Sequence, residues 1–206
     1  RHDDIKAGGE GAPLTPIFHD KVFGSDRKRK TIVNIGGITN ITAINYPELI
    51  GFDTGPGNCL MDCWSRIHNV GNYDDRGTWA SSGTINQSLL AEMMEDEYFS
   101  RKYPKSTGPD YFNLEWIKEN LLRLPEKIPT EDVQATLVQV TVISLIESIN
   151  FLNLSNKQIF LCGGGVHNDF LCGEINKQTK AGVTTTLELG IDPDYVEAIC
   201  FGWLAK

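Results

Sequence analysis

The sequence predicts an α/β domain, and three observations support this prediction. Short β-branched or apolar segments recur along the chain, the first of them at 31–35. Glycine-rich turns directly follow several of these segments, and stretches with the apolar spacing of helices separate them. The chain has 206 residues, of which 40% are hydrophobic, so it can bury a substantial core and one main domain is expected.

The first half of the chain contains three predicted strands that follow one another closely. A Gly36-Gly37 pair separates the first two, which is typical of a tight hairpin turn. A third strand runs into a Thr-Gly-Pro-Gly-Asn loop, and the apolar residues after this loop have helical spacing. The predicted elements are, in order, a turn-rich loop over 7–16, strands over 31–35, 38–44 and 49–53, and a helix containing Leu60, Met61 and Trp64.

The second half of the chain predicts mostly helices, with two further strands. Thr130 is the predicted N-cap of the longest helix, because Glu131 and Asp132 in its first turn complement the helix dipole. The predicted elements are a helix over 85–99, a loop over 103–109, helices over 112–125 and 131–152, a strand over 158–162, a short helix from 168, a strand over 183–187, and a final helix.

Apolar spacing predicts the buried faces of two of these helices. In the final helix, Asp192 is the predicted cap and Pro193 the first residue. Its predicted inward residues are Val196, Ile199, Cys200 and Trp203. In the longest helix, one apolar stripe is predicted to face the core, formed by Val138, Val142, Leu145, Ile149 and Leu152.

The charge of the chain disfavours nucleic acid as a partner. The net charge is -8 and the pI is near 5.0, whereas proteins that bind a polyanion usually carry a basic groove or stripe. One basic run, at 27–30, directly precedes the first strand, and we interpret it as a solvated loop.

Cysteine usage and hydropathy indicate the compartment. The five cysteines are odd in number and form no CxxC pair, so small buried thiols in a reducing cytoplasm are expected rather than a zinc site or a disulfide framework. No apolar run approaches the roughly 18–20 residues that span a bilayer. The amino terminus has no apolar segment of the kind found in signal peptides. We therefore expect a cytoplasmic protein without a membrane partner.

Two glycine-bearing turns in the first half are candidate anion sites. At Gly36-Gly37, main-chain N–H groups can approach a phosphate with no β-carbon in the way, although a bare hairpin turn is the commoner meaning of such a pair. Asp53 stands at the end of the third strand, before a glycine loop that opens a helix. Helix N-termini favour anionic ligands, and Asp53 is a candidate to orient Mg²⁺ through water or to bind a hydroxyl.

A third turn, Gly163-Gly164-Gly165, follows a buried strand. Three consecutive glycines lose more backbone entropy than an ordinary turn requires, and such a flat turn suits a nucleoside lying against the main chain. We interpret His167 as a structural hydrogen-bonding residue rather than a catalytic one. Glu197 is by default a surface carboxylate, and a contact with a substrate hydroxyl remains open.

Together the three turns favour a nucleotide site. Ligand sites of open α/β sheets gather at strand ends, and each of these turns follows a predicted strand. Neither a Walker A loop nor a GxGxxG fingerprint is present, so spacing alone leaves the superfamily open.

The chain resembles the anhydro-N-acetylmuramic acid kinase family over almost its whole length. A run of distinct motifs in the same order is far more specific than any one glycine pattern. The matching strings are AGGEGAPLTPIFH at 7–19, NIGGITNIT at 34–42, GFDTGPGN at 51–58, KSTG at 105–108, DVQATL at 132–137, CGGGVHN at 162–168 and GIDPDYVEA at 190–198.

This resemblance implies the second half of a two-domain kinase of the actin, hexokinase and acetate-kinase type. The expected fold is an actin-like ATPase (ribonuclease H-like) domain with a mixed central sheet flanked by helices. Residues 1–30 would be an interdomain, substrate-side segment left from the first domain, and 31–206 the second nucleotide-binding domain. The implied site residues are Gly36, Gly37 and Thr39 in a phosphate loop, Gly163, Gly164, Gly165 and Asn168 in an adenosine turn, Asp53, Gly55, Gly57 and Asn58 along the same cleft, Asp53 also toward the metal, and Glu197 toward the sugar.

The resemblance also implies a reaction that uses ATP, Mg²⁺ and water. A base would activate water to open the 1,6-anhydro ring of the amino sugar, while the released O6 takes the γ-phosphoryl group to give N-acetylmuramic acid 6-phosphate in peptidoglycan recycling. Such chemistry requires backbone donors and a cation to spread phosphate charge. A homodimer is expected by family analogy alone.

The sequence departs from the family pattern at three places. Arg1 matches the arginine of the family's Asp-Phe-Arg string, so the base aspartate would precede it. The amino-terminal Gly-Thr-Ser-Met-Asp-Gly loop is absent, and Pro109-Asp110 replaces the usual Arg-Glu after KSTG. Two alternatives stay open: a non-catalytic nucleotide-binding or muropeptide-binding remnant, and a kinase for a different sugar.

Overall fold

The fold is built on one mixed five-stranded sheet. The computed structural model describes residues 5–6, 8–9, 11–153, 158–179 and 181–206. The sheet order is β3-β2-β1-β4-β5. Antiparallel pairs join β1, β2 and β3, whereas β1–β4 and β4–β5 are parallel. The strands are β1 (Lys30–Ile35), β2 (Ile38–Asn45), β3 (Glu48–Pro56), β4 (Ile159–Cys162) and β5 (Val183–Thr185).

Helices cover both faces of this sheet. The arrangement confirms the predicted α/β class of the actin-like, ribonuclease H-like type. The α-helices are α1 (Thr15–Phe23), α2 (Asn58–Ile67), α3 (Thr78–Ser82), α4 (Gln87–Met94), α5 (Glu97–Ser100), α6 (Leu114–Leu122), α7 (Thr130–Phe151), α8 (Asp169–Gln178) and α9 (Val196–Leu204).

Alternation along the strands separates two cores. Val33 and Ile35 of β1 belong to the larger core with α7, whereas Ile32 belongs to a smaller core on the other face. This smaller core also contains Phe18 of α1 and Cys200 of α9. We call the α7 side the first face and the α1–α9 side the second face. Residues 15–23 thus pack on this sheet, and the predicted boundary at residue 30 stays a prediction.

The central helix α7 differs from its prediction in two respects. Pro129, not Thr130, is the N-cap, and the Thr130 hydroxyl bonds the neighbouring Glu131 carboxylate. The predicted stripe is buried or partly buried, but polar residues such as Gln134 and Ser144 are buried too, because neighbours surround the helix. By length and composition this helix could cross a membrane, so the prediction that no apolar run approaches that length is wrong here; most of the helix lies inside the protein.

Several predicted boundaries are corrected by the structure. The segment at 85–99 forms two helices, α4 and α5, because Asp96 starts a new one by accepting the N–H of Tyr98 at 2.8 Å. The third strand extends to Pro56, the strand predicted over 183–187 ends at Thr185, and helix α1 already begins at Thr15 within the predicted loop.

The final helix is shorter and more exposed than predicted. It begins at Val196 after Tyr195, so neither Asp192 nor Pro193 lies at its start. Val196 and Cys200 are buried as predicted, whereas Ile199 and Trp203 are 44% and 38% exposed.

Two polar expectations are also refined. Lys30 of the basic run is buried in β1, where its ammonium group donates to the main-chain oxygen of Phe23 at 2.9 Å and pairs with Asp26; only 27–29 are solvated. All five cysteines carry free thiols, and burial raises the pKa of Cys59 and of Cys162 to about 12. These two thiols are therefore protonated at neutral pH.

Candidate functional site

The three glycine-bearing turns lie together at one edge of the sheet. The hairpin at Gly36-Gly37 follows β1, and the Gly163 turn follows β4, which runs parallel to β1 with Asn34 opposite Cys162. The end of β3 lies at the same edge, because Pro56 pairs with Ile38 at the start of β2. The topology therefore gathers the turns as the strand-end prediction required.

The start of α2 is bonded to the hairpin and does not offer open N–H groups. The N–H groups of Gly57 and Cys59 donate to the Gly37 oxygen at 2.9 and 3.1 Å, and that of Asn58 donates to the Gly36 oxygen at 2.8 Å. These three N–H groups are therefore not open to an anion, and a phosphate contact at this helix N-terminus stays a prediction. By contrast, the N–H of Gly37 has no acceptor within the described residues.

The triple-glycine turn divides its three residues between packing and an open surface. A β-carbon on Gly163 would lie 2.5 Å from the Asn34 side-chain oxygen, and one on Gly165 would lie 2.3 Å from Cγ2 of Ile35. Gly163 also has a φ of +81°, which disfavours other residues. A β-carbon on Gly164 would meet nothing closer than the Asn58 amide nitrogen at 3.9 Å. The fold therefore requires the first and third glycines, whereas the middle one faces open space.

A cavity of about 960 Å³ opens at this edge. Its walls come from α2, from the segment at 73–76, and from the segment at 164–169. Of the predicted site residues, Asn58, Gly164 and Asn168 line it, while Gly36, Gly37 and Gly57 adjoin it through their bonds to Asn58 and its neighbours. The volume lies in the range of small-molecule sites.

Asp62 is a cavity residue that the sequence reasoning missed. It lies one helical turn after Asn58, so both side chains project from the same face of α2. Burial raises the pKa of the Asp62 carboxyl to about 6, and the charge of Arg66 only partly opposes this. The four-residue spacing from Asn58 was the signal that could have identified it.

The cavity wall at 73–76 is held in place by Asp74 and by an ion pair of Arg76. Neither contact was predicted from the sequence. Asp74 is buried, and its carboxylate accepts the N–H groups of Trp79 and Ala80 at 2.8 Å each. Arg76 donates to the carboxylate of Asp169 at 2.8 Å, which ties the segment at 73–76 to the start of α8. These contacts fix the cavity wall.

Asn168 and His167 have structural partners at the cavity rim. The Asn168 side-chain oxygen accepts the Leu171 N–H at 2.9 Å and thereby caps α8. A β-carbon on Gly77 would lie 2.2 Å from the same oxygen, so the two segments touch closely here. His167 Nε2 lies 2.8 Å from the Asp194 carboxylate. This contact agrees with the structural interpretation of His167.

Asp53 lies outside this cavity, within the sheet. Its Oδ2 accepts the Ser106 hydroxyl at 2.8 Å and the Thr107 N–H at 3.0 Å, so the KSTG segment holds the carboxylate. Asp53 is only 5% exposed, and burial raises the pKa of its carboxyl. In the described part of the chain no donor lies on its Oδ1. One oxygen is thus available to a ligand.

A row of polar residues crosses four strands on the second face. Asp53 pairs with Asn40, Asn40 with Asn34, and Asn34 with Cys162. Paired residues of neighbouring strands point to the same face, and Cys162 belongs to the core of the second face. Glu197 of α9 is exposed and near enough to raise the pKa of the Cys162 thiol further, so it lies at one end of this row.

Thr39 and Gly55 are buried and do not line the cavity. The Thr39 hydroxyl donates to the Pro56 oxygen at 3.4 Å. A β-carbon on Gly55 would lie 3.0 Å from the Phe99 ring and 3.1 Å from the Ser144 hydroxyl. Both residues therefore have packing roles here. Arg1, matched by resemblance to the arginine beside the base, lies outside the described residues.

The strand order and the gathered turns define an α/β domain of the actin-like class. The chain belongs to the anhydro-N-acetylmuramic acid kinase family, whose model matches residues 1–206. Proteins named anhydro-N-acetylmuramic acid kinase from Coxiella burnetii and Photobacterium profundum are 44% and 45% identical to the whole chain, and one from Pseudomonas savastanoi pv. phaseolicola is 43% identical. The chain spans 56–57% of the length of these relatives.

Two solved structures resemble part of the chain. The activator of the 2-hydroxyisocaproyl-CoA dehydratase from Clostridium difficile with bound ADPNP has a TM-score of 0.47 and 12% identity, over 84% of this chain and 58% of its own. Ethanolamine utilization protein EutJ from Carboxydothermus hydrogenoformans has a TM-score of 0.47 and 13% identity, over 90% of this chain and 51% of its own.

Proposed function

We propose that the chain forms the nucleotide-holding part of an ATP-dependent kinase that phosphorylates 1,6-anhydro-N-acetylmuramic acid. The observation that supports this most is the gathering of three glycine turns beside a cavity, with Gly164 open toward it. Family membership supports the choice of substrate.

The nucleotide would lie across the edge of the sheet. The adenosine part would rest on Gly164 in the cavity, where Asp62 is placed to accept a ribose hydroxyl. The phosphates would reach the Gly36-Gly37 hairpin, whose free Gly37 N–H can donate to a phosphate oxygen.

Asp53 fits a role toward Mg²⁺, because it has one carboxylate oxygen without a donor and the other fixed by Ser106 and Thr107. Magnesium is commonly held by one or two carboxylates together with water and substrate phosphates. When bound, the cation would neutralise charge on the phosphates of ATP. The chain itself fixes the position of the Asp53 carboxylate through these two hydrogen bonds.

The sugar would approach from the second face. Glu197 and Asn40 lie at the polar row there and offer a carboxylate and an amide to sugar hydroxyls. In the proposed reaction, water adds to the anomeric carbon of the anhydro sugar and gives up one proton, which passes to solvent, the bond from that carbon to O6 breaks, and O6 takes the γ-phosphoryl group of ATP. The products are N-acetylmuramic acid 6-phosphate and ADP. We further propose a cytoplasmic role in peptidoglycan recycling and a homodimer.

Two measurements test the proposal at different levels. Calorimetric titration of the 206-residue chain with ATP and Mg²⁺ should show one site, which Gly164→Val weakens and Gly173→Ala, in the open surface of α8, does not. The product of the complete reading frame should release ADP with the anhydro sugar and form a 6-phosphate detectable by mass spectrometry. ATP binding without phosphorylation would favour the non-catalytic binding module, and faster turnover of another anhydro sugar would favour the kinase of different specificity.

A further inference from the structure

A second cavity, of about 270 Å³, lies away from the candidate nucleotide site. It is bounded by β3, by the segment at 99–105, and by the carboxyl-terminal half of α7, and it shares no lining residue with the first cavity. Its lining is chemically distinctive, because it contains a buried lysine, two further cations and several aromatic rings.

Lys105 is the central polar group of this cavity. It is 7% exposed, its ammonium group donates to the Tyr98 main-chain oxygen at 3.2 Å, and it lies 4.6 Å from the centroid of the Tyr98 ring. Within the described residues, no carboxylate lies within ion-pair distance of it. A buried cation with one neutral acceptor is costly to a protein, and an anion in the cavity would offset that cost.

Cations outnumber carboxylates among the charged residues of the lining. Arg101 and Lys102 join Lys105, and Glu147 is the opposing carboxylate in the lining. This local excess of positive charge is unusual on a chain whose net charge is -8. Arg101 already pairs with Glu97 outside the lining, so Lys105 and Lys102 are the two lining cations that form no ion pair among the described residues.

Aromatic rings give the cavity an apolar wall. The Phe52 and Tyr103 rings are stacked with centroids 5.4 Å apart, and Tyr103 contacts Phe151 edge-on at 5.8 Å. The hydroxyl groups of Ser144 and Ser148 donate to main-chain oxygens of α7, so they do not supply the donors for a ligand. A ligand suited to this cavity therefore has an anionic head and an apolar body.

We propose that this cavity binds a small organic anion, with a carboxylate or phosphate group at Lys105 and a ring or short apolar body against Phe52 and Tyr103. The site is separate from the proposed kinase function and does not depend on it. Lys105 is nevertheless linked to Asp53, the candidate metal residue, because Ser106 and Thr107, which directly follow Lys105, bond the Asp53 carboxylate.

Benzoate and phenyl phosphate are suitable probes, because they combine one ring with the two kinds of anionic head. Each is titrated into the wild type and into Gly164→Val, so that any phosphate binding at the first cavity is recognised by its loss in that variant. Calorimetry should show one site for at least one probe, and the stronger probe identifies the head group. Lys105→Met should lower the affinity for the stronger probe about tenfold or more, which is the size of one charged hydrogen bond. Lys118→Met, which removes an exposed lysine of α6, is the matched control and should leave the affinity unchanged.

A second pair of variants covers the case in which Lys105→Met does not fold. Glu147→Gln removes the opposing charge and should tighten binding, whereas Lys102→Gln should weaken it, and both side chains are exposed. Equal affinity of the wild type and the Lys105→Met protein would overturn the proposal. Absence of binding of both probes at millimolar concentration, or a Glu147→Gln variant that binds no more tightly, would also overturn it.

Discussion

The main-chain N–H of Asn58 donates to the carbonyl oxygen of Gly36 at 2.8 Å, which bonds the turn after β3 to the hairpin between β1 and β2. Two of the three glycine turns are therefore one bonded unit rather than separate loops. Gly57, which directly precedes Asn58, lies so close to the hairpin that a β-carbon on it would be 2.4 Å from the Gly36 oxygen.

Gly57→Ala is expected to destabilise the protein. The new methyl group must displace the hairpin backbone, and overpacking of this kind costs about 1–3 kcal/mol. Urea unfolding followed by circular dichroism measures the change. Gly37→Ala is the matched control in the same unit, because its nearest atoms would be 3.8 Å away. Equal stability of the Gly57→Ala protein and the wild type would show that the turn adapts at no cost.

Gly37→Ala and Gly164→Ala are expected to separate binding from folding. Neither methyl group would clash within the protein, so the free energy of unfolding should change by less than about 0.5–1 kcal/mol, the range of tolerated surface substitutions. If ATP lies against these glycines, its affinity should fall about tenfold, or about 1.4 kcal/mol. Unchanged ATP affinity in both variants would remove the hairpin and the triple-glycine turn from the proposed site.

Sequence patterns predicted the strands well because each strand has a local signature. Val33 and Ile35 are β-branched and lie before a glycine pair, and the structure places them in the core as expected. The bonds from the start of α2 to Gly36 and Gly37 could not be read in this way. They depend on how β3 pairs with β2, a contact between segments that are distant in sequence.

The sequence predicted the glycine-bearing turns of the candidate site, but it did not predict the carboxylates that line the cavity. The resemblance named Gly164 and Asn168, and both line the cavity. Asp62 and Asp74 were missed because surface helices and loops carry many carboxylates. The four-residue spacing from Asn58 marks Asp62, whereas nothing local marks Asp74 as the carboxylate that turns inward. The resemblance also named Gly55, whose surroundings show a packing role.

The stability of the protein should fall as the pH falls from about 6.5 to about 4, through His19. This imidazole is fully buried on α1, with Nδ1 2.8 Å from the Thr42 hydroxyl and Nε2 without a partner among the described residues. Burial lowers the pKa of His19 to about 4. Between these pH values the imidazole of the unfolded chain binds a proton, whereas the buried imidazole of the folded protein does not. The free energy of unfolding therefore decreases by up to about 3 kcal/mol. Above pH 6.5 this loss is absent.

His19→Gln isolates the effect. The Asp62 carboxyl, whose pKa burial raises to about 6, acts in the opposite direction, because the folded state binds its proton first as the pH falls from about 6 to about 4. The measured quantity is therefore the free energy of unfolding of the wild type minus that of the variant, followed from pH 7 to pH 4 by urea denaturation. This difference should decrease toward acid pH. A constant difference for His19→Gln would contradict the prediction.

Asp74→Ala should destabilise the protein and loosen the cavity wall, whereas Asp75→Ala should do neither. The Asp74 carboxylate accepts two N–H groups at the start of α3 and lies 3.4 Å from the amide nitrogen of Gln134 on α7. Its removal leaves these buried donors unsatisfied, at a cost of about 1–3 kcal/mol. The neighbouring Asp75 carboxylate is exposed and has no such partners among the described residues, so it is a matched control of the same size and charge. Thermal unfolding measures the stability, and amide hydrogen exchange at Trp79 and Ala80 measures the loosening. If exchange at these two amides were as slow in Asp74→Ala as in Asp75→Ala, the proposed cap would not be what holds this wall in place.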